Sequence, residues 1–212
     1  MHEIYNREYF EDGLATGKSL YTGFRWMPER SFREAIAIID ACEIKPGVEA
    51  VLDFGCAKGF LVKALRLLNR DAFGCDVSRY AVCTADPSIR QFIRLCTPVE
   101  PFPFEGKVFD LCIAKDVLEH LEEDELDGVL EILSEWSRRI FVAIPIGDGK
   151  RFIVPEYNYD ATHKIAQTTK WWEKMFKFHN LEIEKTMMLL KGIKDNWSHY
   201  EQGNRFYVLR GK

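Results

Sequence analysis

The chain has 212 residues, long enough to bury a substantial core, and one domain spanning 1–212 is the expectation. Hydrophobic residues make up 47% and charged residues 29%, a globular balance that argues against general disorder. The net charge of −4 offers no electrostatic attraction to nucleic acid or to an anionic membrane, so neither is expected as a partner.

The opening "MHEIYNREYFEDG" is polar and aromatic, unlike a secretory signal, and no apolar run reaches the roughly 18–20 residues of a membrane helix. The cysteines, Cys42, Cys56, Cys75, Cys83, Cys96 and Cys112, form no C-x-x-C pair. A zinc site therefore has little support, no metal is expected, and a reduced, cytoplasmic protein is the simplest reading. Up to Gly23, Tyr5, Tyr9, Phe10 and Tyr21 are mixed with Gly13 and Gly17. This segment is too rich in glycine for a long helix and too aromatic for a free tail. It reads either as a lid or as a tail packed outside the sheet.

"PERSFREAIAIIDACEI" has proline placed for a first helical turn and apolar residues at helical spacing; "KPG" ends it. The chain then alternates. "AVLDFG" reads as a buried strand, "GFLVKALRLLN" as an amphipathic helix, "DAFGCDV" as a second strand, and a short helix follows Ser78. "IRQFIRLC" is expected as the third strand, "PVEPFPFEGK" as a proline-rich loop and "VFDLCIAKD" as the fourth strand. "EEDELDGVLEILSEWS" reads as a helix with acids in its first turn, and "RIFVAIP" as the fifth strand. Residues 146–166 read as a long irregular connection, "TTKWWEKMFKFHN" as an aromatic helix, and "LEIEKTMMLLKG" with "NRFYVLRGK" as a closing antiparallel pair at the sheet edge. The expected fold is α/β, doubly wound, with a mainly parallel seven-stranded sheet and helices on both faces.

In such a sheet a ligand binds where strands give way to helices, which directs attention to "VLDFGCAKGF". Gly55 and Gly59 permit backbone angles and close ligand approach. A G-x-x-x-x-G-K-[ST] phosphate loop is absent, and the dinucleotide fingerprint fails because its second and third glycine positions hold Ala57 and Phe60. That argues against a pyrophosphate and an NAD-dependent oxidoreductase. Asp76 stands about twenty residues beyond the turn, where an acid accepts ribose hydroxyls. Asp53 ends the first strand, placed to hold the loop or to meet an ammonium group. An acid, a glycine turn and a second acid suit a nucleoside with an amino-acid tail.

"VLDFGCAKGF", "GCDVS" and "PFPFEGKVFDLCIAKDVLEHL", in this order, resemble the class I S-adenosylmethionine-dependent methyltransferases over residues 48–145. "YNREYFEDG" and "DATHKIAQTTKWWEKMF" also resemble a branch often associated with small-molecule or sugar-related substrates. The resemblance implies S-adenosylmethionine as cofactor. It places Asp53, Gly55, Cys56, Ala57 and Gly59 around the methionine part, Asp76 on the ribose and Val77 against the adenine. Many members carry an acid after strand three for the adenine amino group. Here Cys96-Thr97 stands in that place, so Thr97 or a backbone carbonyl would substitute. Residues 46–212 would form the Rossmann-like core, with 1–45 as lid and first helix.

The implied reaction is methyl transfer to an oxygen or nitrogen of a small acceptor, by a monomer or homodimer; a non-catalytic binding module is the alternative. His163 in "DATHK" is the candidate general base, with Asp160 to orient it; capping of the turn is the alternative role for Asp160. Asp116, at the end of strand four, faces the crevice. His120 in "DVLEHL" reads as structural, and Trp171 and Trp172 read as packing rather than stacking on a substrate.

Overall fold

The computed structural model describes residues 4–96, 104 and 106–211. Seven strands form one sheet: β1 (Ala50–Phe54), β2 (Asp71–Asp76), β3 (Ile93–Leu95), β4 (Phe109–Lys115), β5 (Ser137–Pro145), β6 (Glu182–Met187) and β7 (Asn204–Arg210). Their order across the sheet is β3-β2-β1-β4-β5-β7-β6. Strands β1 to β5 pair in parallel, while β7 runs antiparallel to both β5 and β6. The order reverses between β1 and β4, which opens a crevice at their carboxyl ends.

The helices are α1 (Arg7–Glu11), α2 (Gly13–Thr16), α3 (Pro28–Cys42), α4 (Phe60–Leu67), α5 (Arg79–Cys83), α6 (Glu123–Trp136) and α7 (Thr169–Phe178). Alternation along β4 divides the core into two layers. Leu111 and Ile113 pack with Ile38 of α3 and Val62 and Leu65 of α4. Cys112 and Ala114 pack with Leu130 and Leu133 of α6 and Trp172 and Phe176 of α7. Pro28 opens α3, and Glu43 in the left-handed region (φ 55°) closes it. A capping box between Glu122 and Glu125 starts α6.

One expectation needs correction. The third strand was expected over 89–96, but Arg90–Phe92 form a 3₁₀ turn and β3 is only Ile93–Leu95. The Asp86-Pro87-Ser88 turn carries the chain further than its apolar residues suggest: the Ile89 and Arg90 N–H groups both donate to the Asp86 carbonyl. The closing antiparallel pair lies at the sheet edge as expected, with β6 outermost. Strand β7 inserts between β5 and β6, consistent with its fully buried centre beside the exposed face of β6.

Candidate active site

The end of β1 and the start of α4 enclose a tight turn. Gly55, Ala57 and Gly59 all have positive φ (74°, 49° and 74°). The N–H groups of Gly55 and Cys56 donate to the Cys75 carbonyl at 2.8 and 3.0 Å, which anchors the turn to β2. Asp76, at the end of β2, completes it: one carboxylate oxygen accepts the Ala57 N–H at 2.7 Å, the other the Ser78 N–H at 2.7 Å. Each oxygen keeps a second lone pair for a ribose hydroxyl. Burial raises the Asp76 carboxyl to about 6, against the opposing effect of those two N–H donors.

The two glycines serve different needs. A side chain at Gly55 would meet Val117 at 2.5 Å, at the mouth of the crevice. At Gly59 it would meet Ile93 at 2.1 Å and Ile89 at 2.9 Å, so packing against β3 also requires glycine there.

A cleft opens over this turn, lined by Asp53, Gly55, Cys56 and Ala57, with Tyr21 and Phe24 above, Arg30 and Glu34 from α3, and Lys115 and Asp116 from the end of β4. Asp53 is 5% exposed. Burial raises its carboxyl to about 8, with Asp76 and Glu34 adding to the effect and Lys115 opposing it. A buried acid of this kind fits the ammonium of an amino-acid tail, whose positive charge would restore its ionised form. Asp116 takes the left-handed conformation (φ 57°) and pairs with Lys115 at 3.0 Å and Lys194 at 2.5 Å. Against the cost of burial, these two ammonium groups hold its carboxyl well below the usual carboxylate range.

The N-terminal segment lies on the turn. Tyr9 and Phe10 of α1 are buried with Ala81, against Tyr5, Tyr21, Phe24, Ala57 and Tyr80. Polar ties fix it there: Ser78 Oγ donates to the Tyr5 carbonyl at 2.5 Å, and Lys58 Nζ pairs with Glu11 and donates to the Phe24 carbonyl at 2.8 Å. The Tyr9 hydroxyl donates to Asp160 at 3.4 Å on the far side of the crevice.

Residues 52–139 match the family model described as a methyltransferase domain. Over this stretch the chain is similar to a methyltransferase domain. Similar solved structures include an S-adenosylmethionine-dependent methyltransferase from Clostridium acetobutylicum (15% identity, TM-score 0.62, covering 86% of this chain and 92% of that one). Magnesium protoporphyrin IX methyltransferase from Synechocystis, with bound SAH, is similar at 17% identity and TM-score 0.60, over 87% and 84% of the two chains. A Bacillus halodurans methyltransferase aligns at 16% identity and TM-score 0.61, over 84% and 98%. No curated protein matches the sequence.

In this chain Asp53, Gly55, Cys56, Ala57 and Asp116 meet at the cleft, and Asp76 lies under its turn. Val77 is half-buried beside Asp76, and Thr97 lies outside the described residues. His163 and Asp160 are close in space but not paired as expected. The Asp160 carboxylate accepts from the Thr162 N–H and hydroxyl at 2.9 and 2.6 Å, the turn-capping role. It is the Tyr157 carbonyl that holds His163, accepting from Nδ1 at 2.6 Å.

Several residues at the site come from outside the glycine turn and Asp76. Lys115 lines the cleft, Lys194 reaches Asp116 from the β6–β7 connection, and Arg30 and Glu34 arrive from α3. Only their distance in sequence from the glycine turn concealed them. His120, read as structural, lies 4.6 Å from His163 between ring centroids, and its Nδ1 is 2.8 Å from the Thr162 hydroxyl. Burial lowers His120 to about 4, with His163 adding to the effect, and burial also lowers His163. Glu119 beside them is wholly buried, and burial raises its carboxyl to about 8. Among the described residues, no helix is long and apolar enough to cross a membrane.

Proposed function

We propose that the chain transfers a methyl group from S-adenosylmethionine to an oxygen or nitrogen of a small polar acceptor, with sugar-related hydroxyl compounds as the favoured class. The observation that carries this reading is the pairing of two buried acids around one turn: Asp53 for the ammonium, Asp76 for the ribose. Gly55, Cys56 and Ala57 would line the methionine part, and Val77 would pack on the adenine.

When bound, the cofactor supplies an activated methyl group. The chain must then align the acceptor with that carbon and exclude water; such positioning contributes up to about 7–11 kcal/mol in ideal cases. Tyr9, Phe10 and Tyr21 would form the cover that keeps water out. The charges of Lys115, Asp116 and Lys194 suit a polar, hydroxyl-bearing acceptor rather than an apolar one. With Nδ1 given to the Tyr157 carbonyl, Nε2 carries the lone pair of His163 and would be the base of a metal-free chain, while the Asp160 carboxylate is held by Thr162.

Calorimetry with S-adenosylmethionine and its demethylated product, followed by label transfer from methyl-labelled cofactor across a panel of sugars, amines and phenols, tests the proposal. Labelled product from a hydroxyl or amine acceptor supports it. Absence of cofactor binding overturns it, and binding without product across the panel favours a non-catalytic binding module.

A further inference from the structure

We propose that Glu119, His120 and His163 form a binding site for a first-row divalent transition metal or zinc, with an open coordination position for the acceptor hydroxyl. This deepens the methyltransferase reading above and rests on it for the identity of the acceptor, not for the metal.

One ligating atom from each of the three residues lies within 4.8 Å of the others. The Glu119 side chain is 0% exposed, and neither carboxylate oxygen has a hydrogen-bond partner among the described residues. A buried carboxylate without donors is costly to keep unless something cationic satisfies it. A metal ion beside two imidazoles would do so.

Both histidines have Nδ1 engaged. Thr162 gives its hydroxyl proton to Asp160 at 2.6 Å, so its oxygen accepts the His120 Nδ1–H at 2.8 Å. The Tyr157 carbonyl accepts only, which fixes the proton of His163 on Nδ1 as well. Each ring is thereby left with the Nε2 lone pair, and each is held through its other nitrogen, the arrangement that orients metal-bound histidine. Glu119 and His120 share the 3₁₀ turn Leu118–His120, and His163 comes from the connection after β5. The Lys164 and Ile165 N–H groups donate to the Glu119 carbonyl at 2.8 and 3.0 Å, fastening the two segments together.

Two nitrogens and one carboxylate suit zinc, manganese, iron or cobalt better than calcium or magnesium, which prefer all-oxygen sites. Three protein ligands leave at least one position open. An acceptor hydroxyl bound there releases its proton to solvent. Its oxygen then bonds to the methyl carbon as the carbon–sulfur bond breaks, the electron pair staying on sulfur. The products are a methyl ether, the neutral thioether and one proton. In the metal-bound enzyme, His163 is a ligand and not the base.

The test is a Co²⁺ titration of the full chain after treatment with chelator, read by visible d–d absorption and competed with Zn²⁺. One equivalent with a ligand-field spectrum is expected, with affinity reduced at least about tenfold in both Glu119→Gln and His163→Ala. Thr162→Val, which leaves all three ligands in place but frees His120, should weaken binding less. No stoichiometric Co²⁺ uptake by the wild-type chain overturns the proposal, as does uptake that both ligand variants leave unchanged. Calorimetry with the demethylated cofactor on the same samples separates the two readings: if it binds and Co²⁺ does not, only the metal site falls.

Discussion

Asp76 and Ala57, nineteen residues apart, are joined by a hydrogen bond of 2.7 Å from the Ala57 backbone N–H to the Asp76 carboxylate. One acid thus fixes the left-handed turn after β1 and is the residue proposed to meet the ribose at the end of β2. The same carboxylate accepts the Ser78 N–H that opens α5. The turn and the proposed ribose contact are therefore coupled.

Asp76→Ala is expected to weaken binding of the demethylated cofactor by at least about tenfold, because hydrogen bonds to a charged acceptor contribute roughly 1.5–3 kcal/mol each. Asp76→Asn, which keeps one acceptor oxygen, should lose less. Calorimetry gives both affinities. A change below twofold in Asp76→Ala would detach this residue from the ribose.

Asp53 predicts proton-coupled binding. Its carboxyl, raised to about 8 by burial, holds a proton at neutral pH in the ligand-free protein. The cofactor ammonium favours the ionised form, so binding at pH 7 should release up to about one proton, visible as a dependence of the calorimetric enthalpy on buffer ionisation. Affinity should rise by up to about tenfold per pH unit between pH 6 and 7. Stability moves in the opposite sense. The folded state holds this proton more tightly than the unfolded chain, so the Asp53 contribution is fully present below about pH 4 and is lost progressively as pH rises to about 8. Asp53→Asn should flatten both profiles. Unchanged pH profiles in that variant would remove Asp53 from the account.

The parts of this fold written in local pattern were legible in the sequence. The alternation of apolar strands and amphipathic helices from Ala50 to Pro145 follows from burial on two faces, and "LDFGCAKG" identifies its own turn because positive φ selects glycine twice within it. The rest depends on residues brought together by topology. Lys194 meets Asp116 only because β7 folds back between β5 and β6. His120 meets His163 only because the connection after β5 returns over the end of β4. A short edge strand such as β3 leaves too little pattern to separate it from the turn before it.

The adjacent tryptophans should part company on substitution. Trp172 is 0% exposed and stacks on Phe176 beneath β7, whereas Trp171 is only partly buried. Trp172→Ala should cost about 3–5 kcal/mol of stability, the usual range for emptying a buried aromatic site, and lower Tm clearly. Trp171→Ala should cost much less and leave cofactor affinity unaltered. Thermal and urea unfolding of the two variants measures the difference, and equal losses would contradict the assignment of Trp172 to the core.

Lys58 is the expected latch of the N-terminal segment. It is buried at the start of α4, and its ammonium is shared between the Glu11 carboxylate and the Phe24 carbonyl, with the Tyr80 hydroxyl donating to the same Glu11 oxygen at 2.8 Å. Lys58→Met keeps the aliphatic stem and removes the charge, leaving Glu11 with the Tyr80 hydroxyl alone. Hydrogen bonds of this charged kind contribute roughly 1.5–3 kcal/mol, so amide protection across Tyr5–Phe24 should fall by about tenfold or more while protection in β4 and β5 is retained. In the wild-type chain the demethylated cofactor should raise protection of the same segment, and in Lys58→Met that gain should come with weaker binding. Hydrogen exchange with and without ligand decides the matter. A segment whose exchange is indifferent to ligand is packing on the outside of the core, not closing over the cleft.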